Sequence, residues 1–511
     1  MVKEVLRGEI NASARIIGDI SLGIYRSPAN ALKELVSNAF DVGATEVIIN
    51  TDYPAFTYVS CYDNGPGMTT EKFKQIFSYI GGSDKRLETD IGPYGRPIIG
   101  KIGIGILGMS QISHRFVIIS SCAGEKTRLE AEINIEEFVS KKATRTNLGT
   151  GKIGNYEIYI LPESEPEHYT IITTPARSEA LRSELGQGKS ARDQFIKAKE
   201  KTDNFEDFVL NFHNKSTFTL GSYESFLWEL ASLTPIPYFE NGPLKEWKEW
   251  DAVKETLQSY NFKLTVDGYE LRKPILLPTW DDLKNRGDDY EIYSIDYGDA
   301  KSDLQFEGYL YHQRRQIVPS ELQGLLIRIR NVGIGGYDKT LLDYPRNIGP
   351  MVRGMTGEIY VRKGLEEALN IDRNSFNETH EHFSILQQEI FSRIGLPGKP
   401  GIAKDVRDRS AKHQEEQRFV KEWQSLKQLV RKAGRICDKD LELIPESGDE
   451  EPITVDWDKG EVHVNLWHDT VPADLAGKQQ FFRVLLCVHL LHKFGPISQD
   501  EPDLIGWLRR I

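Results

Sequence analysis

Three short segments in a set order constrain this 511-residue chain more than anything else in it. The first is E-L-V-S-N-A-F-D, Glu34 to Asp41. The second is D-N-G-P-G-M, Asp63 to Met68. The third is I-G-K-I-G-I-G-I, Ile99 to Ile106. Alone, each has an ordinary reading: an amphipathic helix, a hairpin turn at Asn-Gly, a glycine-rich surface loop. In this order they make sense together as the parts of one adenine-nucleotide pocket.

Ala31 to Phe40 is rich in helix formers, with apolar Leu32, Leu35, Val36 and Ala39 on one side. Residues four apart on a helix share a face, so Glu34 and Asn38 project together. A carboxylate there can take a proton from an attacking water. The Asn38 oxygen is a hard neutral ligand suited to a magnesium ion that keeps most of its waters. Asp41, one turn on, can hold the outer shell through water.

Asp63 follows an apolar strand-like run, Phe56 to Cys61, where the chain turns. An acid in that position can accept a hydrogen bond from an exocyclic amine, the handle that distinguishes adenine from guanine. Gly65 and Gly67 open backbone conformations closed to other residues and let a ligand approach. Met68 is polarizable and able to pack on a base. In the third segment, Gly100, Gly103, Gly105 and Gly108 interrupt a hydrophobic stretch. Successive N–H groups at a helix start form an anion site that suits a triphosphate. The pattern is neither a P-loop nor the dinucleotide fingerprint. The polar stretch from Gly81 to Pro97 reads as a lid or a plain surface loop, with Lys85 within reach of a terminal phosphate.

Together these segments resemble the N-box, G1 box and G2 box of the GHKL ATPases. That superfamily covers type II topoisomerase ATPase domains, heat-shock-90 chaperones, MutL mismatch-repair proteins, Microrchidia proteins and sensor histidine kinases. The resemblance implies ATP and Mg2+ as cofactors and ATP hydrolysis as the activity. Glu34 would be the general base and Asn38 the magnesium ligand. Asp63 would read the adenine amino group, with Gly67 and Met68 beside the base. Gly100, Lys101, Gly103, Ile104 and Gly105 would wrap the phosphates. Thr170, in H-Y-T-I-I, matches the threonine that supports the adenine-binding acid, although it lacks the usual preceding glycine. Histidine kinases of this superfamily generally lack the N-box glutamate, and no H-[DE] acceptor helix precedes the pocket, so Glu34 favours attack by water.

The implied fold is α+β: a Bergerat-type ATP-binding sandwich, mainly antiparallel with helices on one face, then an α/β transducer-like domain and a small α+β region. The expected divisions are residues 1–222, 223–396 and 402–511. Tyr223 to Tyr238 reads as an apolar helix ending at prolines. Strand-like runs follow near Phe262, Ser302 and Leu325. The stretch Gly364 to Glu378 resembles the heat-shock-90 middle-domain loop whose arginine reaches the terminal phosphate, which points to Arg373. The alternative there is a surface arginine beside Asp372. Leu396 to Gly401 reads as a linker. Ile402 to Ile436 reads as a long, locally basic helix, for dimerisation, for DNA or packed on its neighbour. Ile453 to Trp467 reads as a hairpin and Lys478 to Phe494 as an apolar helix. The histidines His463, His468, His489 and His492 show no zinc-protease pattern.

A formal charge of −12 argues against a whole-chain nucleic-acid binder. Cys61, Cys122, Cys437 and Cys487 show neither a disulfide framework nor metal spacing. No run of apolar residues reaches membrane-spanning length and no signal core opens the chain, so a cytoplasmic location is expected. The expected mechanism is an ATP-driven conformational switch: a homodimer forms with ATP, and hydrolysis resets it. Three outputs stay open. One is chaperone-like remodelling of protein partners. Another is a DNA-associated clamp of the MutL or Microrchidia type, in genome maintenance or anti-phage defence. The third is a nucleotide-sensing scaffold without turnover.

Overall fold

Apolar residues spaced three and four apart after Pro28 dictate a helix, and in the computed structural model Pro28–Asp41 forms one, α1. Pro28 suits a first helical turn, where its missing N–H has no partner to lose. Ala31, Leu32, Leu35, Val36, Ala39 and Phe40 are buried along it. The helix stops at Gly43, whose φ of +86° favours glycine. Ala44 N–H returns to the Ala39 carbonyl at 3.0 Å and Gly43 N–H to the Phe40 carbonyl at 3.1 Å, which satisfies two of the open carbonyls at that end.

The structure describes residues 4–13, 28–78, 94–99, 108–135, 150–174, 179–186, 204–213, 222–240, 243–274, 290–299, 301–370, 374–396, 398–422, 430, 440–446, 451–472 and 475–494. They fall into two compact units, 1–403 and 404–511. The first unit opens with a nine-stranded sheet. Its strands are β1 (Glu4–Ser13), β2 (Glu46–Asn50), β3 (Ser60–Asp63), β4 (Arg115–Ser121), β5 (Thr127–Ile135), β6 (Thr150–Pro162), β7 (Tyr169–Thr173), β8 (Lys263–Val266) and β9 (Tyr269–Glu270). The spatial order is β1-β6-β5-β4-β7-β3-β2-β8-β9. Every neighbouring pair is antiparallel except β2 with β8. The expected α+β class with a mixed, mainly antiparallel sheet is what the chain adopts. β8 and β9 lie beyond residue 222 yet complete this sheet.

Between α1 and the second sheet the described residues form helices α2 (Thr70–Ser78), α3 (Met109–Ile112), α4 (Glu179–Leu185), α5 (Phe205–His213), α6 (Ser222–Leu233) and α7 (Trp250–Ser259). Helix α6 is apolar nearly all round because it packs on α1 on one side and on the second sheet on another. One continuous core joins α1, α3, α4 and α6 to the inner faces of β2 to β6. Strand alternation decides which residues those are. On β4, Phe116, Ile118 and Ser120 point inward.

The second sheet holds β10 (Tyr290–Tyr297), β11 (Gln305–Gln313), β12 (Gly324–Ile329), β13 (Val332–Asp338) and β14 (Met355–Lys363), in the order β10-β11-β14-β12-β13. β12 is buried along its whole length. A fully buried ion pair joins it to β14, Arg328 with Glu358. Tyr337 donates to Glu358 Oε1 at 2.7 Å and Tyr360 to Oε2 at 2.6 Å, with Tyr238 also on Oε2. Burial opposes the Glu358 charge, but Arg328 and these donors hold its carboxyl below the usual range. Helix α8 (Gly349–Val352) contacts β14, and helix α9 (Glu381–Ile394) meets β10 through Arg393, whose Nη2 donates to the Asp296 carbonyl at 3.3 Å.

Described by itself, the second unit carries α10 (Ile402–Glu422), which begins at the unit boundary, then β15 (Glu442–Glu446), β16 (Ile453–Asp456), β17 (Glu461–Asn465) and α11 (Leu475–Phe494). The strands order β15-β17-β16. Phe482 and Leu486 of α11 pack on Val462 and Val464. His463 bonds Glu461 at 3.1 Å and His468 bonds Thr470 at 2.8 Å. Among the described residues no group of three metal-ligating side chains exists, and no helix is long and apolar enough to cross a membrane.

Candidate nucleotide site

Ala31, Glu34, Asn38 and Asp41 stand three, four and three residues apart on α1, so they form one stripe. Both flanks of the glycine motif attach to this stripe. At one end Ile99 N–H donates to Asp41 Oδ1 at 2.6 Å. At the other, Gly108 lies so close that an added Cβ would stand 3.3 Å from the Ala31 Cα. Ten residues of helix separate these anchors, roughly 15 Å. Glu34 and Asn38 sit between them.

Glu34 is 7% exposed, and it makes no hydrogen bond or ion pair with any described residue. A buried carboxylate in that condition requires an explanation, because burying an unpaired charge is costly. The Asn38 amide beside it is half-buried and equally uncommitted among the described residues. Its one neutral oxygen fits a magnesium ion carried on phosphates, and among the described residues no group of three His, Cys, Asp or Glu side chains could cage a metal instead. Asp41, expected in the outer shell of that ion, is used here to hold the Ile99 N–H.

Asp63 ends β3, opposite Val47 on one side and Thr170 on the other. Burial raises its carboxyl to about 6, although the Gly65 N–H at 2.9 Å favours the ionised form. The neighbouring Asn64 is structural: its Oδ1 accepts the N–H groups of Thr45 at 2.8 Å and Glu46 at 2.9 Å. The two glycines of the turn act differently. Gly67 has φ +79°, and a Cβ there would fall 1.8 Å from the Ser121 carbonyl oxygen. Gly65 is not left-handed, contrary to the expectation that both glycines were needed for unusual backbone. A Cβ at Gly65 would instead crowd Asp63 Oδ1 at 2.7 Å and Val42 at 3.2 Å, so its role is to leave the acid open.

Thr170 faces Asp63 in register, yet no side-chain hydrogen bond joins them. Its hydroxyl lies 3.1 Å from Ser120 Oγ. Ser120, fully buried, accepts the Met68 N–H at 2.8 Å and donates to the Tyr169 carbonyl at 2.9 Å. His168 Nδ1 bonds the Gly65 carbonyl at 3.0 Å. Ser120 and His168 therefore hold the turn that presents Asp63 and Met68, and the sequence reading missed both. For Ser120 a signal existed: a polar residue at an inward position of an alternating strand. For His168 none did.

Arg96 closes the C-terminal end of α1. Its Nη1 donates to the Ala44 carbonyl at 2.6 Å and the Phe40 carbonyl at 3.4 Å, and its guanidinium lies 4.9 Å from the Phe40 ring centroid. A cation over the open carbonyls of a helix end is stabilising. Lys85, Gly100, Lys101, Gly103, Ile104, Gly105 and Arg373 lie outside the described residues. Of the residues next to these, Ile99 and Asn374 are described. Asn374, next to Arg373, is bonded to α1 through Lys33 Nζ at 2.9 Å.

Comparison with known proteins adds to this geometry. Residues 25–154 match the family of histidine kinase-, DNA gyrase B-, and HSP90-like ATPases. Over 117 residues the chain is 31% identical to the DNA mismatch repair protein MutL of Thermosipho africanus (strain TCF52B), a match covering 23% of this chain and 20% of that protein. Over 167 residues it is 26% identical to MutL of Staphylococcus aureus (strain Newman), covering 32% and 22%. Over 106 residues it is 34% identical to a candidate type II restriction enzyme, HgiDII, of Herpetosiphon aurantiacus, covering 21% and 17%. The matches thus span about a fifth of the length of these relatives.

Proposed function

We propose, from the premise that this chain belongs to the GHKL ATPase superfamily through its N-terminal domain, that it binds ATP along α1 and hydrolyses it to ADP and phosphate. The observation that carries this reading is Glu34: buried, unpaired among the described residues, and lying between the two anchors of the glycine motif. In the proposed step Glu34 takes a proton from a water, and the water oxygen attacks the terminal phosphorus. The bond from that phosphorus to the bridging oxygen breaks, and ADP leaves with the electron pair. Asp63 accepts from the adenine amino group, with Gly67 and Met68 beside the ring. Gly100, Lys101, Gly103, Ile104 and Gly105 supply N–H groups to the phosphates, and Lys85 and Arg373 engage the terminal one. Asn38 would hold magnesium, which when bound neutralises phosphate charge. Phosphate release by the parent and by Glu34→Ala tests the reading. Turnover no greater in the parent than in the variant would leave a nucleotide-sensing scaffold.

The wider proposal is an ATP-driven switch in which two chains associate through their N-terminal domains while ATP is bound. ATP drives this only if the associated form binds it better than the separate one. The names of the relatives, mismatch repair and restriction, support a DNA-associated output. The acidic charge balance supports remodelling of protein partners instead. A DNA gel shift across salt concentrations, with and without a nonhydrolysable ATP analogue, separates the two. Phosphate contacts give a steep loss of affinity with salt.

A further inference from the structure

We propose that Arg330, in the second sheet, is a positioning residue for the Ile98–Ile99 peptide at the entrance to the glycine motif. The inference rests on the ATPase reading above and adds a residue that touches no nucleotide.

Arg330 and Asn331 are the two turn residues between β12 and β13, with φ of +54° and +66°. Two-residue hairpins of this kind need left-handed backbone at both positions, and asparagine and glycine supply it readily. Asn331 fits that demand. An arginine does not, and strain of this sort persists where surrounding contacts over-determine it. Those contacts are specific. Arg330 Nη1 donates to the Ile98 carbonyl. Its Nε lies 3.6 Å from Glu366 Oε1, with the side chain only 11% exposed.

The carbonyl of Ile98 and the N–H of Ile99 belong to one peptide group. Asp41 holds the hydrogen of that group at 2.6 Å, and Arg330 holds its oxygen. A planar peptide fixed at both ends cannot rotate. Its orientation is therefore set jointly by α1 and by the second sheet. The hold extends further on both sides. Asn331 Nδ2 donates to Tyr260 Oη at 2.8 Å, and the Tyr260 carbonyl accepts from Arg96. Lys273 Nζ donates to the Asn331 carbonyl at 3.2 Å, and two residues before the turn Arg328 pairs with Glu358. A shift of the second sheet thus rotates the peptide that leads to Gly100, beside the helix that carries Glu34.

The test compares the full chain with Arg330→Gly and Arg330→Gln. Glycine relaxes the turn, so loss of folding is not the expected outcome. In unliganded protein, hydrogen exchange over residues 94–99 should rise about tenfold or more in both variants. The kcat for ATP should fall about ten- to a hundredfold, because small misplacements in a catalytic site are expensive. Adenosine affinity, read by calorimetry, should change less than about twofold, since Asp63 and its supports are untouched. Parent-like exchange and kcat in both variants would overturn the proposal. So would a fall in adenosine affinity that tracks kcat, which signals general damage. A parent with no turnover at all refutes the ATPase reading instead, while the exchange measurement still reports on the clamp.

Discussion

Lys33 donates a hydrogen bond to Asn374 at 2.9 Å, across 341 residues of sequence. Lys33 directly precedes Glu34, and Asn374 directly follows Arg373. The loop after β14 is therefore tied to the helix that carries the proposed general base. Arg373→Ala should lower kcat about a hundredfold or more, as removal of one preorganised donor to developing phosphate charge does. KM should change little. Steady-state kinetics across ATP concentration decides it, and an unchanged kcat would remove Arg373 from the mechanism.

Glu34→Gln keeps the volume of the side chain and removes its basicity. Turnover should fall about a hundred- to ten-thousandfold, the usual contribution of a general base. The affinity for ATP, measured by calorimetry, should stay within a few-fold of the parent. Weakened binding with proportionate turnover would instead make Glu34 a ligand-binding group.

Asp63 makes opposite demands on stability and on binding. Its carboxyl is raised from 3.8 to about 6, so ionising it costs the empty protein stability. The contribution of the protonated acid is intact below the unfolded pKa and is lost as pH rises from about 4 to about 6. Asp63→Asn cannot ionise and keeps an acceptor for the Gly65 N–H. It should be more stable than the parent by about 2–3 kcal/mol at pH 7.5, and no more stable at pH 4. Urea titrations at the two pH values measure this.

The same variant should bind nucleotide far more weakly. In the parent, affinity for ADP should rise as pH climbs through about 6, because the ionised acid is the better acceptor for the adenine amine. Calorimetry at pH 5 and pH 7.5 tests the direction. Equal affinity at both would show that Asp63 does not read the base.

Glu358→Gln leaves Arg328 charged, fully buried and without its carboxylate. Breaking a buried pair by removing one partner costs about 3–5 kcal/mol. Glu358 is held below the usual carboxyl range, so its contribution is present above the unfolded pKa and is lost as pH falls through its own. Thermal unfolding of the variant at pH 7.5 should show the full deficit, and a parent-like midpoint would contradict it.

Much of the site was legible because its parts are local. Glu34 and Asn38 share a face by helical period alone, and Gly67 marks a turn that glycine suits. Asp63 at the end of an apolar strand follows from composition. Which residues hold these parts was not legible, although Ser120 stands out as a polar residue at an inward strand position. Ser120 and His168 meet the Asp63 turn only after β4 and β7 pair beside β3, which no spacing along the chain announces. Arg330 meets the Ile98 carbonyl across 232 residues of sequence, a contact that no local pattern announces. The strands β8 and β9 read as the start of a new domain, because nothing local tells a strand which sheet it will join.

The sequence by itself determined the groups proposed here to meet a nucleotide: a carboxylate and an amide one turn apart, an acid in a glycine turn, and a glycine-rich run. Those depend on short-range geometry, in which residue type and period are enough. Only the tertiary structure decided how the groups are held: that Asp41 and Arg330 grip one peptide, that Lys33 meets Asn374, and that Ser120 carries the turn at Met68. These contacts join residues far apart in the chain. Their existence depends on how two sheets and a helix pack, which is a property of the whole core and of no single segment.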